Sequence, residues 1–140
     1  MKIKIKLETE FVNTAPRCKI YTTRDSRTFT LGKQANIEVD LPCFAEDKLS
    51  INFLNKDGVD DNVVRIKELH IDDINLQHFI YNGVFYPEYD QQWYNEQETK
   101  PPKFYSPCTE LRHNGTWHLN ITLPIWKMMM ENWLDDKANT

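Results

Sequence analysis

The sequence has no long hydrophobic run, no excess of basic residues and few cysteines. A membrane-spanning helix needs about 20 consecutive apolar residues, and no stretch of this chain approaches that length. Lys and Arg number 17 against 21 Asp and Glu, a formal net charge of -4, whereas nucleic-acid binding needs a concentrated basic surface. We therefore expect neither membrane insertion nor contact with DNA or RNA.

The cysteines and the N-terminus lack the signs of a secreted protein. Cys18, Cys43 and Cys108 are odd in number and contain no C-x-x-C pair, so we expect reduced, mostly buried thiols. The first residues alternate lysine with apolar side chains and lack the apolar stretch of about 7 to 15 residues that a signal peptide needs. We expect synthesis in the cytoplasm without a signal peptide.

Common catalytic motifs are also missing. The four histidines form no H-E-x-x-H motif, and no serine lies in a G-x-S-x-G turn. We expect His70 and His78 to be surface or hydrogen-bonded structural residues. A chain with 21 acidic residues always contains carboxylate pairs, so such pairs are no evidence of catalysis. An enzyme with a carboxylate pair as acid and base in an aromatic cleft is therefore the third hypothesis, after two non-enzymatic ones.

The dominant hydrophobic period is two, which is typical of half-buried strands in antiparallel sheets. Clear runs are Ile3, Ile5 and Leu7, then Ile37, Val39 and Leu41, then Leu49, Ile51 and Phe53, and finally Trp117, Leu119, Ile121 and Leu123. Between Val63 and Ile71 the alternation changes parity, which predicts a β-bulge near Lys67. Seven or eight short strands predict an all-β fold, a single antiparallel β-sandwich domain of jelly-roll type over residues 1–140.

Only the C-terminal end changes to a helical period. Ile125, Met128, Met129 and Trp133 follow Pro124 at helical spacing and predict one short amphipathic helix over residues 124–135. This face can dock on the sandwich or on a partner subunit. Because methionine suits adaptable surfaces, we favour a partner interface, and a homo-oligomer is one candidate.

A long aromatic segment, residues 79–105, holds nine of the seventeen aromatic residues. Pro87, Pro101 and Pro102 argue against regular structure there and predict a loop excursion from one end of the sandwich. The rings can pack under the loop as a small core, an alternative that applies above all to Phe79, Phe85 and Phe104.

The other alternative is that the rings of this segment contact a ligand. Polar neighbours surround Tyr89, Trp93 and Tyr94, so we expect these rings to be exposed and to serve a protein interface or a sugar site. Tyr86 and Trp117 complete the candidate binding residues.

The stretch NKDGVDDN, residues 55–62, concentrates oxygen-bearing side chains around Gly58. Ca²⁺ takes six to eight oxygen ligands from flexible loops, and Asp57, Asp60 and Asp61 are candidates. The EF-hand order is absent, and the same residue types also form ordinary solvated turns.

Two stretches resemble a known family. INFLNKDGVDDNVVRIKELHID resembles the central hairpin of calcium-dependent xylan-binding carbohydrate modules, and LRHNGTWHLNI resembles their final strand after an Asn-Gly turn. The resemblance covers residues 37–76 and 111–123. It implies a jelly-roll sandwich in which a metal ion, here held by Asp57, Asp60 and Asp61, coordinates sugar hydroxyls.

A second resemblance concerns YNGVFYPEYDQQWY and HNGTWHLNITLPIWKMMMENWL, which are similar to small virion-associated proteins of tailed bacteriophages. It implies a non-enzymatic virion protein, assembled in the host cytoplasm, whose partners are capsid or tail proteins and possible host-surface glycans. The alternative is a calcium-dependent carbohydrate-binding module that serves a polysaccharide-degrading enzyme.

Overall fold

The computed structural model describes residues 1–11, 15–54, 63–76, 79–89, 91–106, 108–112 and 114–130. In these ranges the regular elements are strands with one short α-helix and a C-terminal helical stretch at residues 125–130. None of the described helices is long and apolar enough to span a membrane. The elements are β1 (Lys2–Glu10), β2 (Arg17–Tyr21), β3 (Ser26–Thr30), β4 (Gln34–Asp40), β5 (Glu46–Leu54), β6 (Val63–Ile71), β7 (Ile74–Asn75), a 3₁₀ turn (Phe79–Asn82), β8 (Val84–Pro87), α1 (Gln91–Glu96), β9 (Glu110–Leu111) and β10 (Gly115–Thr122).

The strands form two antiparallel sheets. Sheet A has the order β4-β1-β6, and both β7 and β9 pair with β6. Sheet B has the order β3-β2-β5-β10-β8. The predicted fold class, an all-β antiparallel sandwich, is confirmed.

The core lies between the sheets, where the period of two places alternate side chains. Ile3, Ile5 and Leu7 of sheet A are buried, and so are Leu49 and Ile51 of sheet B. All five belong to one hydrophobic cluster that both sheets share. Burial of apolar side chains at about 25 cal/mol per Å² is therefore the main force that holds the sheets together.

The predicted β-bulge is confirmed at the predicted place. Lys6 of β1 pairs with Glu68 of β6, but Leu7 pairs with Ile66, so Lys67 is the extra residue. The insertion shifts the inward positions of β6 by one residue and keeps both halves of the strand facing the core.

The expected central hairpin is wrong. β5 pairs with β2 and β10 in sheet B, whereas β6 pairs with β1, β7 and β9 in sheet A. β5 and β6 therefore belong to different sheets. The hydrophobic period indicates that each strand has a buried face, but it does not indicate which strands pair with each other.

The C-terminal helical stretch docks on the sandwich. Ile125 and Met128 are buried members of the common core, and Met129 packs against it while half-buried. The prediction of a partner interface is therefore wrong for Ile125 and Met128, because the sandwich already covers them. Trp133 lies outside the described residues, whereas Trp126 and Met130 are the exposed apolar side chains of the stretch.

Candidate functional site

The aromatic segment is more regular than its prolines predict. β8 extends the edge of sheet B, and α1 follows it. The segment then returns to the same edge, where Phe85 and Tyr105 exchange backbone hydrogen bonds of 3.0 and 2.8 Å. Because Tyr105 is hydrogen-bonded to β8, the end of the segment is tied to the strand at which it leaves the sheet.

Some rings of the segment pack as a small core, and others are exposed and can contact a ligand. Phe85 is fully buried, and Phe79 packs half-buried against the core. Phe104, however, is 54% exposed. The buried rings are the small core that a long ordered loop requires, and the exposed rings remain available for contact.

Tyr89 is the centre of one group of rings, the excursion cluster, which consists of Tyr89, Trp93 and Tyr94. Its ring stacks on Trp93 with centroids 5.5 Å apart and on Tyr94 with centroids 5.8 Å apart. Its hydroxyl donates to the Pro102 carbonyl and lies 3.2 Å from the Tyr105 hydroxyl. Burial, and next the Tyr105 hydroxyl, raise the pKa of Tyr89, so the phenol stays protonated and remains a donor.

The three cluster residues differ in how much surface they offer. Tyr94 is half-buried between Tyr89 and Lys100, whose ammonium lies 4.8 Å from the ring centroid. Tyr89 is also half-buried, and Trp93 is 38% exposed. The structure thus brings the three predicted binding residues together, and Trp93 presents the largest exposed ring among them.

Trp117 is a core residue, so its assignment as a binding residue is wrong. Its side chain is fully buried, and its indole N–H donates to the Cys108 carbonyl at 3.0 Å. Gly83 lies against the indole so closely that an added Cβ would come within 2.2 Å of it. A ligand cannot reach this ring, because the alternation of β10 turns it inward with Leu119 and Ile121.

A second group of rings, the ring line, lies on the outer face of sheet B and consists of Phe104, Tyr86 and His118. The Phe104 and Tyr86 centroids are 6.0 Å apart, and the Tyr86 and His118 centroids are 5.6 Å apart. Tyr86 was expected as a binding residue, whereas Phe104 and His118 were not. The alternation of β10 marks His118 as outward-facing, but only the pairing of β8 with β10 brings it to Tyr86.

His118 also contacts the neighbouring strand. Ser50 lies directly opposite it on β5, and the Ser50 hydroxyl and His118 Nδ1 are hydrogen-bonded at 2.6 Å. Burial first, and the charge of Lys48 second, lower the pKa of His118 below its ordinary value. When the neutral ring accepts this hydrogen bond, its proton sits on Nε2, where it can be donated to a ligand oxygen.

The expected calcium ligands Asp57, Asp60 and Asp61 lie outside the described residues, so the calcium site stays a prediction. Among the residues that the structure does describe, no group of three or more His, Cys, Asp or Glu side chains is arranged to hold a metal ion. The cysteines are free, with Cys18 and Cys108 buried and Cys43 half-buried. Burial raises the pKa of Cys18 to about 12, so this thiol stays protonated.

Comparison with known proteins provides one structural likeness. No protein-family model and no curated protein matches the chain. A solved structure described as vCBM60 in complex with galactobiose matches with a TM-score of 0.55 and 14% sequence identity. The match covers 86% of this chain and 100% of that one. In fold, this chain is similar to a carbohydrate-binding module.

The likeness supports the first resemblance at the level of fold and leaves the rest open. At 14% identity it does not establish a shared ligand. The expected similarity to phage virion proteins has no counterpart in these findings and stays a hypothesis. Calcium dependence also stays a hypothesis, because the candidate ligands lie outside the described residues.

Proposed function

We propose that this protein is a non-catalytic glycan-binding module. The observation that carries the proposal is a set of exposed rings held in fixed positions on a β-sandwich. Trp93 is stacked on Tyr89, which is itself hydrogen-bonded to the sheet edge, so little side-chain freedom is lost when a ligand binds. A rigid aromatic surface beside polar side chains is a common feature of sugar sites.

The fold likeness adds to this proposal. The structurally similar module is described as bound to galactobiose, which makes galactobiose a reasonable first probe. Xylo-oligosaccharides are the second probe, because the sequence resembles xylan-binding modules. A catalytic function has less support, because the excursion cluster consists of three aromatic side chains and the Tyr89 phenol is held protonated by its surroundings.

The test is a glycan panel containing galactobiose and xylo-oligosaccharides, followed by titration calorimetry with the variant Trp93→Ala. We expect Trp93→Ala to weaken binding by about 1 to 3 kcal/mol, because removal of a central ring costs that much at a recognition site. Trp126→Ala is the matched control, since Trp126 is 59% exposed on the C-terminal helical stretch, away from the excursion cluster in sequence. Equal affinities for the two variants would assign the glycan to another surface.

Calcium is a separate part of the proposal. If Asp57, Asp60 and Asp61 hold Ca²⁺, the ion can coordinate sugar hydroxyls directly, as in the modules that the sequence resembles. The panel is therefore run once with calcium and once with chelator. Binding that survives chelation depends on the rings alone.

The virion location is a proposal about where the module works. Exposed glycan-binding rings are compatible with attachment to a particle that meets host-surface glycans. Co-purification with intact phage particles is the observation that tests it.

A further inference from the structure

The outer face of sheet B carries a continuous row of ring and hydroxyl side chains. The row begins with Phe104 and Tyr86, continues through His118 to Ser50, and ends at Tyr21, which lies opposite Ser50 on β2. The row crosses β8, β10, β5 and β2, whose three spacings of about 4.8 Å add to about 14 Å, and the Phe104 centroid lies a further 6.0 Å from that of Tyr86. That length suits a chain of several sugars better than a single disaccharide.

The middle of the row is closely packed. Ser50 is only 2% exposed although the alternation of β5 points it away from the core, and His118 and Tyr21 lie opposite it on the two neighbouring strands. Its hydrogen bond to His118 fixes the imidazole. The row is therefore a preorganised surface, with exposed rings at Phe104 and Tyr86 and a half-buried ring at Tyr21.

The cations of the two faces differ in how many have carboxylate partners, although Lys6 on sheet A has none among the described residues and Arg27 on sheet B is paired with Asp25. On sheet A, Lys2, Lys4, Arg65 and Lys67 each lie within 4.0 Å of a carboxylate. On sheet B, Lys19 and Lys48 have no such carboxylate partner among the residues that the structure describes. Both flank the row, because Lys48 precedes Ser50 by two residues and Lys19 precedes Tyr21 by two.

We propose that the outer face of sheet B binds an acidic glycan, a chain whose sugars carry carboxylate groups and which lies across the strands from Phe104 to Tyr21. The proposal rests on the glycan-binding function proposed above and extends it to a second surface. The rings stack against the sugars, and Lys48 meets a carboxylate on one side of the row. Lys19, whose ammonium lies 5.3 Å from the Tyr21 ring centroid, meets a carboxylate on the other side. The charge of Lys48 also contributes to the lowered pKa of His118, which is consistent with its ammonium lying near the rings.

The test compares oligogalacturonides of two and five sugars, the same oligomers after methyl esterification, and mannuronate oligomers as a second acidic chain. Titration calorimetry should show that the five-sugar acid binds at least about tenfold more tightly than the two-sugar acid. Esterification removes the charge and keeps the backbone, so it should cost about tenfold as well.

Variants locate the chain. Tyr86→Ala combined with Phe104→Ala should remove the gain from chain length, and Lys48→Gln should remove the preference for the acid over the ester. Lys6→Gln is the matched control, because Lys6 is exposed on sheet A at the opposite face of the sandwich, and it should change neither quantity. Circular dichroism confirms that each variant is folded.

The outcomes separate this proposal from the general function. Equal binding of acid and ester, or an undiminished gain from chain length in the double variant, overturns the acidic-chain site. If only neutral glycans bind and Trp93→Ala abolishes that binding, the glycan-binding function stands and this proposal is wrong. If no glycan binds with either calcium or chelator, both are wrong.

Discussion

At the scale of single residues, the contacts of His118 on the outer face of sheet B determine its protonation. It touches Tyr86 on one side and is hydrogen-bonded to Ser50 on the other. Its surroundings keep the imidazole neutral, because burial removes solvent from the charged form and Lys48 repels it.

The lowered pKa of His118 has a measurable consequence. We expect its NMR titration midpoint to lie below the ordinary histidine value, and Lys48→Gln to raise it. Because the pKa is lower in the folded chain, the unfolded chain binds more protons as the pH falls below the ordinary value. The stability from the neutral ring is thus complete above that value and is lost as the pH falls toward the folded pKa. A midpoint at or above the ordinary value contradicts this account.

At the scale of elements, the amphipathic pattern of the C-terminal helical stretch is compatible with docking on the sandwich or on a partner subunit. The spacing of Ile125, Met128 and Met129 predicts an apolar face but not the surface that covers it. In the structure the sandwich covers Ile125 and Met128, and Trp126 and Met130 face outward.

Two methionines of this stretch allow a matched test of the docking. Met128→Ala should lower the free energy of unfolding by about 2 kcal/mol or more, because the side chain is only 6% exposed and its removal leaves a cavity. Met130→Ala makes the same change at an exposed position and should cost less than about 0.5 kcal/mol. Thermal unfolding measures both. Similar losses for the two variants, or a change confined to oligomeric state, would falsify docking on the sandwich.

At the scale of the whole molecule, calcium would act on the folding equilibrium. Three carboxylates at Asp57, Asp60 and Asp61 repel one another unless water screens them or a cation neutralises them. A cation that binds only the folded state stabilises the entire domain, whichever loop holds it.

The calcium expectation is tested by thermal unfolding with millimolar Ca²⁺ and with excess chelator. At a hundredfold excess over Kd the gain is about 2.7 kcal/mol, which corresponds to a rise of several degrees in Tm. Mg²⁺ should give less, because it prefers a small octahedral shell and keeps its waters. Asp60→Ala should remove the calcium-dependent part and leave the protein folded. Identical melting curves with calcium and chelator mean that these residues form a solvated turn.

Much of the fold could be predicted from the sequence because strand alternation is a local property. The runs around Ile5, Ile51 and Leu119 identify buried faces, and the change of parity before Leu69 locates the bulge at Lys67. The polar neighbours predicted exposure for Tyr89, Trp93 and Tyr94, which is confirmed for Trp93, whereas Tyr89 and Tyr94 are half-buried because their rings stack on each other. Each of these inferences depends only on residues close together in the chain.

The candidate site depended on contacts between residues far apart in sequence. Alternation already places Trp117 on the same face as Leu119 and Ile121, and the packed sandwich shows that this face is fully buried and that the indole N–H is bonded to the Cys108 carbonyl. Likewise, the sequence contains Phe104, Tyr86 and His118, but only the pairing of β8 with β10 and the return of Tyr105 to Phe85 place them side by side. Strand order and register are set by the joint packing of both sheets, which no local pattern encodes.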